Sequence, residues 1–69
     1  MVYKKITLIG SSSESFDAAT DDALDRAKST LDNVAWMEVK ELGVEVASAD
    51  GHEYQATVEV AFRLEDHDE

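Results

Sequence analysis

Val34-Ala35-Trp36-Met37-Glu38-Val39-Lys40-Glu41-Leu42-Gly43-Val44-Glu45-Val46-Ala47-Ser48 alternates apolar and polar residues, and the alternation changes phase midway. Side chains along a strand point to opposite faces with period two. Ala35, Met37 and Val39 are therefore expected on one face, with Trp36, Glu38 and Lys40 on the other. Beyond them Leu42, Val44 and Val46 are apolar at even positions instead. A one-residue slip turns half a strand inside out. A bulge near Lys40-Glu41, with Gly43 helping the bend, restores a single apolar face to one long strand over Val34 to Ser48. The only tryptophan of the chain then lies among charges, away from the core. A large ring in that position is either half of an interface or a stacking platform for a planar ligand.

Downstream, Ala49-Asp50-Gly51 has the composition of a hairpin turn. Tyr54, Ala56, Val58, Val60, Phe62 and Leu64 then alternate with Glu53, Gln55, Thr57, Glu59, Ala61 and Arg63, which predicts a third strand with one face toward the core. Glu65 to Glu69 is a charged tail of the frayed type. Upstream, Phe16, Ala19, Ala23, Ala27 and Leu31 recur at steps of three and four with Leu24 beside them, while Asp17, Asp21, Asp25, Lys28 and Asp32 take the other side. That periodicity predicts a one-faced helix from about Ser13 to Leu31, its alanines permitting close approach to a sheet. Asn33 is a plausible stop. Ser11 and Glu14 have capping-box spacing. Val2 to Ile9 reads as a first strand that Gly10-Ser11-Ser12-Ser13 breaks.

The order β-α-β-β, with a right-handed crossover through the helix, predicts an α+β fold. Its three-stranded antiparallel sheet has the order 1-3-2, with one helix packed on one face. Residues 1–69 form a single domain with no internal repeat. The other sheet face carries Trp36, Glu45, Gln55 and Arg63.

A chain of 69 residues buries only about 60% of the surface its unfolded form exposes. Small domains compensate with disulfides, metals or oligomerisation. There are no cysteines, which fits a cytoplasmic protein, and His52 and His67 lack ligand-like partners. Self-association is the remaining remedy. No signal peptide or membrane-length apolar run is seen. Sixteen acidic against six basic residues give a net charge of −10, which argues against phosphate-mediated binding of nucleic acid. So much negative charge opposes assembly at low salt, whereas at about 1 M salt the Debye length is only about 3 Å. The composition therefore suits a high-salt cytoplasm. An ordinary acidic protein is the competing explanation.

Catalytic chemistry has little to work with. There is no cysteine nucleophile, no Ser/His/Asp setting and no glycine-rich phosphate loop. Asp21, Asp22 and Asp25 are explained by a solvated helix face, and no enzyme is expected. The open sheet face is the better candidate. A hairpin closing at Asp50-Gly51 sets Glu45 opposite Gln55 and, past the bulge, Trp36 opposite Arg63. Positions 55 and 63 are then about 26 Å apart at roughly 3.3 Å per residue. Trp36 and Gln55 of one chain cannot grip one small molecule, so a ligand touching both takes them from different subunits. For Trp36 the alternative is an interface anchor without a ligand. For Gln55, Glu41 and Glu45 it is a solvated polar surface.

Val2-Tyr3-Lys4-Lys5-Ile6, Ser13-Glu14-Ser15-Phe16, Asn33 through Val39, Tyr54-Gln55 and Val58 through Phe62 together resemble the dodecin family, over about Val2 to Leu64. The resemblance implies a hollow homododecamer of cubic symmetry that binds flavins in pairs near twofold axes. It implies that the flavin ring stacks on Trp36 and that Gln55 hydrogen-bonds the polar edge of the ring, with Ala35, Glu41 and Glu45 also at the site. The acidity is similar to that of haloarchaeal members, which favour riboflavin and lumichrome over FMN. Bacterial FMN-holding members tend to carry an arginine near the position of Gly43, and Glu41 and Glu45 here would repel a phosphate. Arg63 resembles a further basic residue of the bacterial members. The resemblance further implies that Glu41 stands near a place where an acidic group meets the ribityl chain through a hydrated Mg²⁺. The implied function is flavin storage, buffering and photoprotective sequestration. A flavin-free cage and a carrier of another cofactor, such as coenzyme A, are the alternatives.

Overall fold

The computed structural model describes residues 1–46 and 51–65. Strand β1 (Tyr3–Ser12) leads to helix α1 (Phe16–Thr30), then strands β2 (Val34–Glu45) and β3 (Glu53–Arg63). The sheet has the order β1-β3-β2, and β3 pairs antiparallel with both neighbours. This is the β-α-β-β arrangement that the periodicities predict. The helix covers one face and packs chiefly over β1 and β3. Ala19, Ala23 and Ala27 of α1 meet Ala56, Val58 and Val60 of β3 in a thin core. Ile6, Leu8, Leu31, Val34, Met37 and Tyr54 close its rim. Leu64, expected on the core face, is 41% exposed beyond the end of β3.

The strand-to-helix joint differs from its expected form. Gly10 does not break β1, which runs on to Ser12. Gly10 pairs with Ala56 directly beneath the helix. A Cβ there would run into the carbonyl oxygen of Ala19 and lie 2.8 Å from the amide nitrogen of Ala23. The glycine is therefore a point of close helix–sheet approach. The capping box at Ser11 and Glu14 does not form either. Ser15 is the N-cap, its Oγ accepting the Ala18 N–H at 3.0 Å. Ser12 Oγ accepts the Glu14 N–H at 2.9 Å, and the Ser11 N–H donates to Asp22 Oδ2 at 3.2 Å. At the far end Leu31 is the C-cap, its N–H bonded to the Ala27 carbonyl at 2.9 Å. Asn33 then adopts a left-handed φ of 63°, a conformation asparagine tolerates better than most residues.

β2 stops at Glu45 rather than Ser48. The expected irregularity is present, with Lys40 unpaired between Val39 and Glu41. Gly43 pairs regularly with Gln55 and marks no bend. A second irregularity leaves Ala35 unpaired between Val34 and Trp36. Ala35 therefore does not continue the face of Met37 and Val39, and Val34, opposite Phe62, takes that place. Ala49 and Asp50 of the expected turn lie outside the described residues. So do Ala47, Ser48 and Asp66 to Glu69. The connection between β2 and β3 spans residues 46–52, longer than a two-residue turn. The pairing is accordingly two positions away from that expected. Glu45 lies opposite Glu53, Gln55 opposite Gly43, and Trp36 opposite Ala61. Arg63 pairs instead with Tyr3 of β1.

The chain is elongated. Its radius of gyration is 14.5 Å, against about 11 Å for a compact domain of this length. Val39, Leu42 and Val44 lie on the helix side of the sheet, opposite Val58, Ala56 and Tyr54, and are 48%, 54% and 44% exposed. One chain thus leaves an apolar stripe uncovered beside its own core, as expected of a subunit.

Candidate ligand-binding face

Odd-numbered residues of β1 and β3 form the face opposite the helix: Tyr3, Lys5, Thr7, Ile9 and Ser11 beside Arg63, Ala61, Glu59, Thr57 and Gln55. β2 completes it with Trp36, Glu38, Glu41, Gly43 and Glu45. Ala61 is fully buried on this face, in register with Lys5 on one side and Trp36 on the other. Its short side chain leaves room for rings from both flanking strands to meet. The Tyr3 and Trp36 centroids are 5.0 Å apart with the planes inclined at 59°, within the range of favourable aromatic contacts. Trp36 nevertheless remains 42% exposed.

The indole is also held at its polar edge. Trp36 Nε1 donates to Glu38 Oε2 at 3.1 Å. Glu38 stands opposite Glu59, and like charges facing each other across strands are unfavourable. Two ammonium groups offset this. Lys5 Nζ reaches both Glu38 oxygens at 3.2 Å and Glu59 Oε1 at 3.7 Å. Lys40 Nζ lies 3.4 Å from Glu38 Oε1 and 3.9 Å from Glu59 Oε1. The Trp36 hydrogen bond, with those from Lys5 and Lys40, holds the Glu38 carboxyl below its ordinary pKa. Lys40 reaches Glu38 because residues two apart on a strand share a face, and the contact is made although Lys40 is the bulged residue.

The expected site residues fall into two groups. Trp36 and Ala35 sit at one end, with Ala35 as the exposed bulge residue. Gln55 is half-buried at the other end between Ser11 and Gly43. A Cβ on Gly43 would meet nothing within 4 Å, so the sheet is open beside this amide. Glu41 lies opposite Thr57 and is exposed, as is Glu45 opposite Glu53. From Ala61, the partner of Trp36, to Gln55 is six positions, about 20 Å at roughly 3.3 Å per residue. The corrected register shortens the separation but keeps it too long for one small planar molecule. Among the described residues, no three His, Asp or Glu side chains converge to hold a metal within one chain. His52 Nε2 lies 3.3 Å from the Tyr54 hydroxyl, and Tyr54 belongs to the helix side of the sheet.

Tyr3, Lys5, Glu38, Lys40 and Glu59 were not singled out as site residues from the sequence. Glu38 and Lys40 were nonetheless legible, since period two puts both on the face of Trp36. The others depend on which strand lies at the centre of the sheet. Among the described residues no helix is long and apolar enough to cross a membrane.

The model of the Dodecin family matches residues 2–65. The chain is 48% identical over 65 residues to a dodecin of Thermus thermophilus, with 94% of each chain covered. It is 35% identical over 63 residues to a Mycobacterium tuberculosis protein called calcium dodecin, covering 91% of this chain and 89% of that one. A crystal structure of a Thermus thermophilus protein superposes with a TM-score of 0.85 at 47% identity, over 96% of this chain and 97% of that one.

Proposed function

The chain belongs to the dodecin family, and from that premise we propose that it stores and buffers flavin by sequestering it in pairs at the subunit interfaces of a homododecamer. Dodecins are small oligomeric binding proteins rather than enzymes. Within that description, the observation that carries the flavin reading is Trp36. It is an exposed ring fixed at its edge by Glu38 and flanked by Tyr3, on a face that its own chain leaves open. A ring immobilised before binding loses little freedom on stacking. Gln55 supplies a donor and an acceptor for the imide edge of an isoalloxazine. Its distance from Trp36 supports a site that takes the two residues from different subunits, with the ligand site and the assembly as one object.

Charge selects among flavins. Glu41, Glu45 and Glu53 crowd the Gln55 end of the face, and Gly43 offers no cation there. A terminal phosphate would meet repulsion, which favours riboflavin and lumichrome over FMN. Participation of Glu41 in a Mg²⁺ site would need waters and groups from further subunits, as expected for an ion that keeps much of its hydration. Coenzyme A would need free cations for its phosphates, and Lys5 and Lys40 are already engaged by carboxylates. The net charge of −10 supports a protein that assembles best in concentrated salt. An electron-rich indole against a photoexcited flavin also favours quenching by electron donation, the photoprotective part of the proposal.

The test is to mix purified protein with riboflavin in molar salt and record flavin fluorescence alongside light-scattering mass. Strong quenching on a particle of about twelve chains is expected from the family's architecture. A twelve-chain particle without quenching would favour a ligand-free cage or another cofactor, and a monomer would overturn the shared site.

A further inference from the structure

We infer that Glu38 is a positioning residue for ligand stacking, holding the Trp36 indole in its receptive orientation through the Nε1–H bond and being held in turn by Lys5 and Lys40. This deepens the flavin reading and rests on it for the ligand alone; the orientation of the ring is a property of the free protein.

Three features support the role. The contact at 3.1 Å links residues two apart on one strand, so the geometry costs no long-range ordering. Glu38 is not free to turn away, because lysines from the first strand and from the Lys40 bulge both bind it. Among the described residues, the ring's aromatic contact is a tilted one with Tyr3, so the hydrogen bond is the specific restraint at its polar edge. Exposed ion pairs weaken in molar salt. The direct hydrogen bonds that Trp36, Lys5 and Lys40 donate to Glu38 depend less on screening, which keeps the restraint in place under the conditions where the acidic chains assemble.

The sole tryptophan makes the test unambiguous, since indole emission reports Trp36 and nothing else. Time-resolved anisotropy and emission of the ligand-free assembly should be compared in the wild type, Glu38→Gln and Glu38→Ala, together with riboflavin affinity. The amide oxygen of glutamine still accepts from Nε1, whereas alanine offers nothing. We expect faster indole reorientation and affinity lower by about tenfold in Glu38→Ala, with Glu38→Gln close to the wild type. Light-scattering mass checks that each variant assembles.

A pH titration of the unmodified protein serves if Glu38→Ala does not assemble. The groups facing Glu38 are Lys5 on β1, Glu59 on β3, and Trp36 and Lys40 on β2. A carboxyl with a depressed pKa keeps its partners above the ordinary carboxylate range and loses them as pH falls through the folded-state value. Trp36 emission should therefore step at a pH below that range. The step should vanish in Glu38→Gln and persist in Glu59→Gln. Unchanged anisotropy and affinity in an assembled Glu38→Ala, or a step that survives Glu38→Gln, would overturn the role. If riboflavin fails to bind even the wild type, the flavin reading falls, while the anisotropy and pH results still decide the orientation of the ring.

Discussion

Replacing Trp36 by alanine removes the surface on which the proposed ligand rests, and the loss can be sized from the fold. The side chain is 42% exposed. An aromatic of its size can bury about 200 Å², so on the order of 80 Å² is open to a ligand, worth about 2 kcal/mol at 25 cal per Å². Favourable ring–ring geometry adds about 1 kcal/mol. The sum, about 3 kcal/mol, corresponds to a Kd weakened by roughly 150-fold. Trp36→Phe keeps a flat face but not the donor to Glu38, and should fall between, near tenfold by the ring term and a lost hydrogen bond. The assay is riboflavin titration by fluorescence quenching in molar salt, with particle mass measured on the same samples. Loss of affinity in an intact particle is the expected result. Wild-type affinity in an intact Trp36→Ala particle would refute the stacking argument outright, and with it the use of ring exposure to locate the site.

Other consequences of the fold can be checked separately. Gly10→Ala forces a methyl group against helix backbone at Ala19 and Ala23 and should cost about 3 kcal/mol, seen as a thermal midpoint lower by roughly 12 °C or more; an unchanged midpoint would show that the helix can lift freely. Ser15→Ala deletes the N-cap bond to Ala18 and should cost about 1 kcal/mol, a fall of roughly 4–8 °C by the same melt. With a net charge of −10 per chain, the assembly should lose mass in dilute buffer and regain it in molar salt, where the Debye length is about 3 Å. Light scattering across a salt series decides this, and a particle stable without salt counts against adaptation to brine.

Faces and the strand order 1-3-2 were legible in the sequence, and the register between strands was not. The alternation in β3 correctly separated Ala56, Val58 and Val60 from Gln55, Thr57 and Glu59, because the period of two is local geometry. The register depended on the turn, and Ala49-Asp50-Gly51 suggested a tighter connection than residues 46–52 make. The error was an even number of positions, so Trp36 and Gln55 kept their face while exchanging Arg63 and Glu45 for Ala61 and Gly43. Ala35 hid its bulge because an alanine fits an apolar alternation whether or not it is paired. The phase change at Lys40 advertised the other one. Gly10 looked like punctuation among serines because its purpose, admitting the helix backbone, exists only once the helix is in place. The network of Lys5, Glu38, Lys40 and Glu59 needs three strands in their final order, which no single segment encodes.

The strand order also governs when this chain can fold. Among the described residues β1 and β2 pair with nothing except β3, and β3 is the last of the three strands. While the chain is being synthesised, neither early strand has a partner until Glu53–Arg63 has left the ribosome. The helix can form earlier, but the buried residues that meet its alanines, Ala56, Val58 and Val60, all lie on β3. Sheet formation therefore waits for the final segment, and the long-range pairings close late and together. A stalled or truncated product lacking β3 would expose two unpaired strands, a substrate for chaperones and proteases rather than a partly formed subunit.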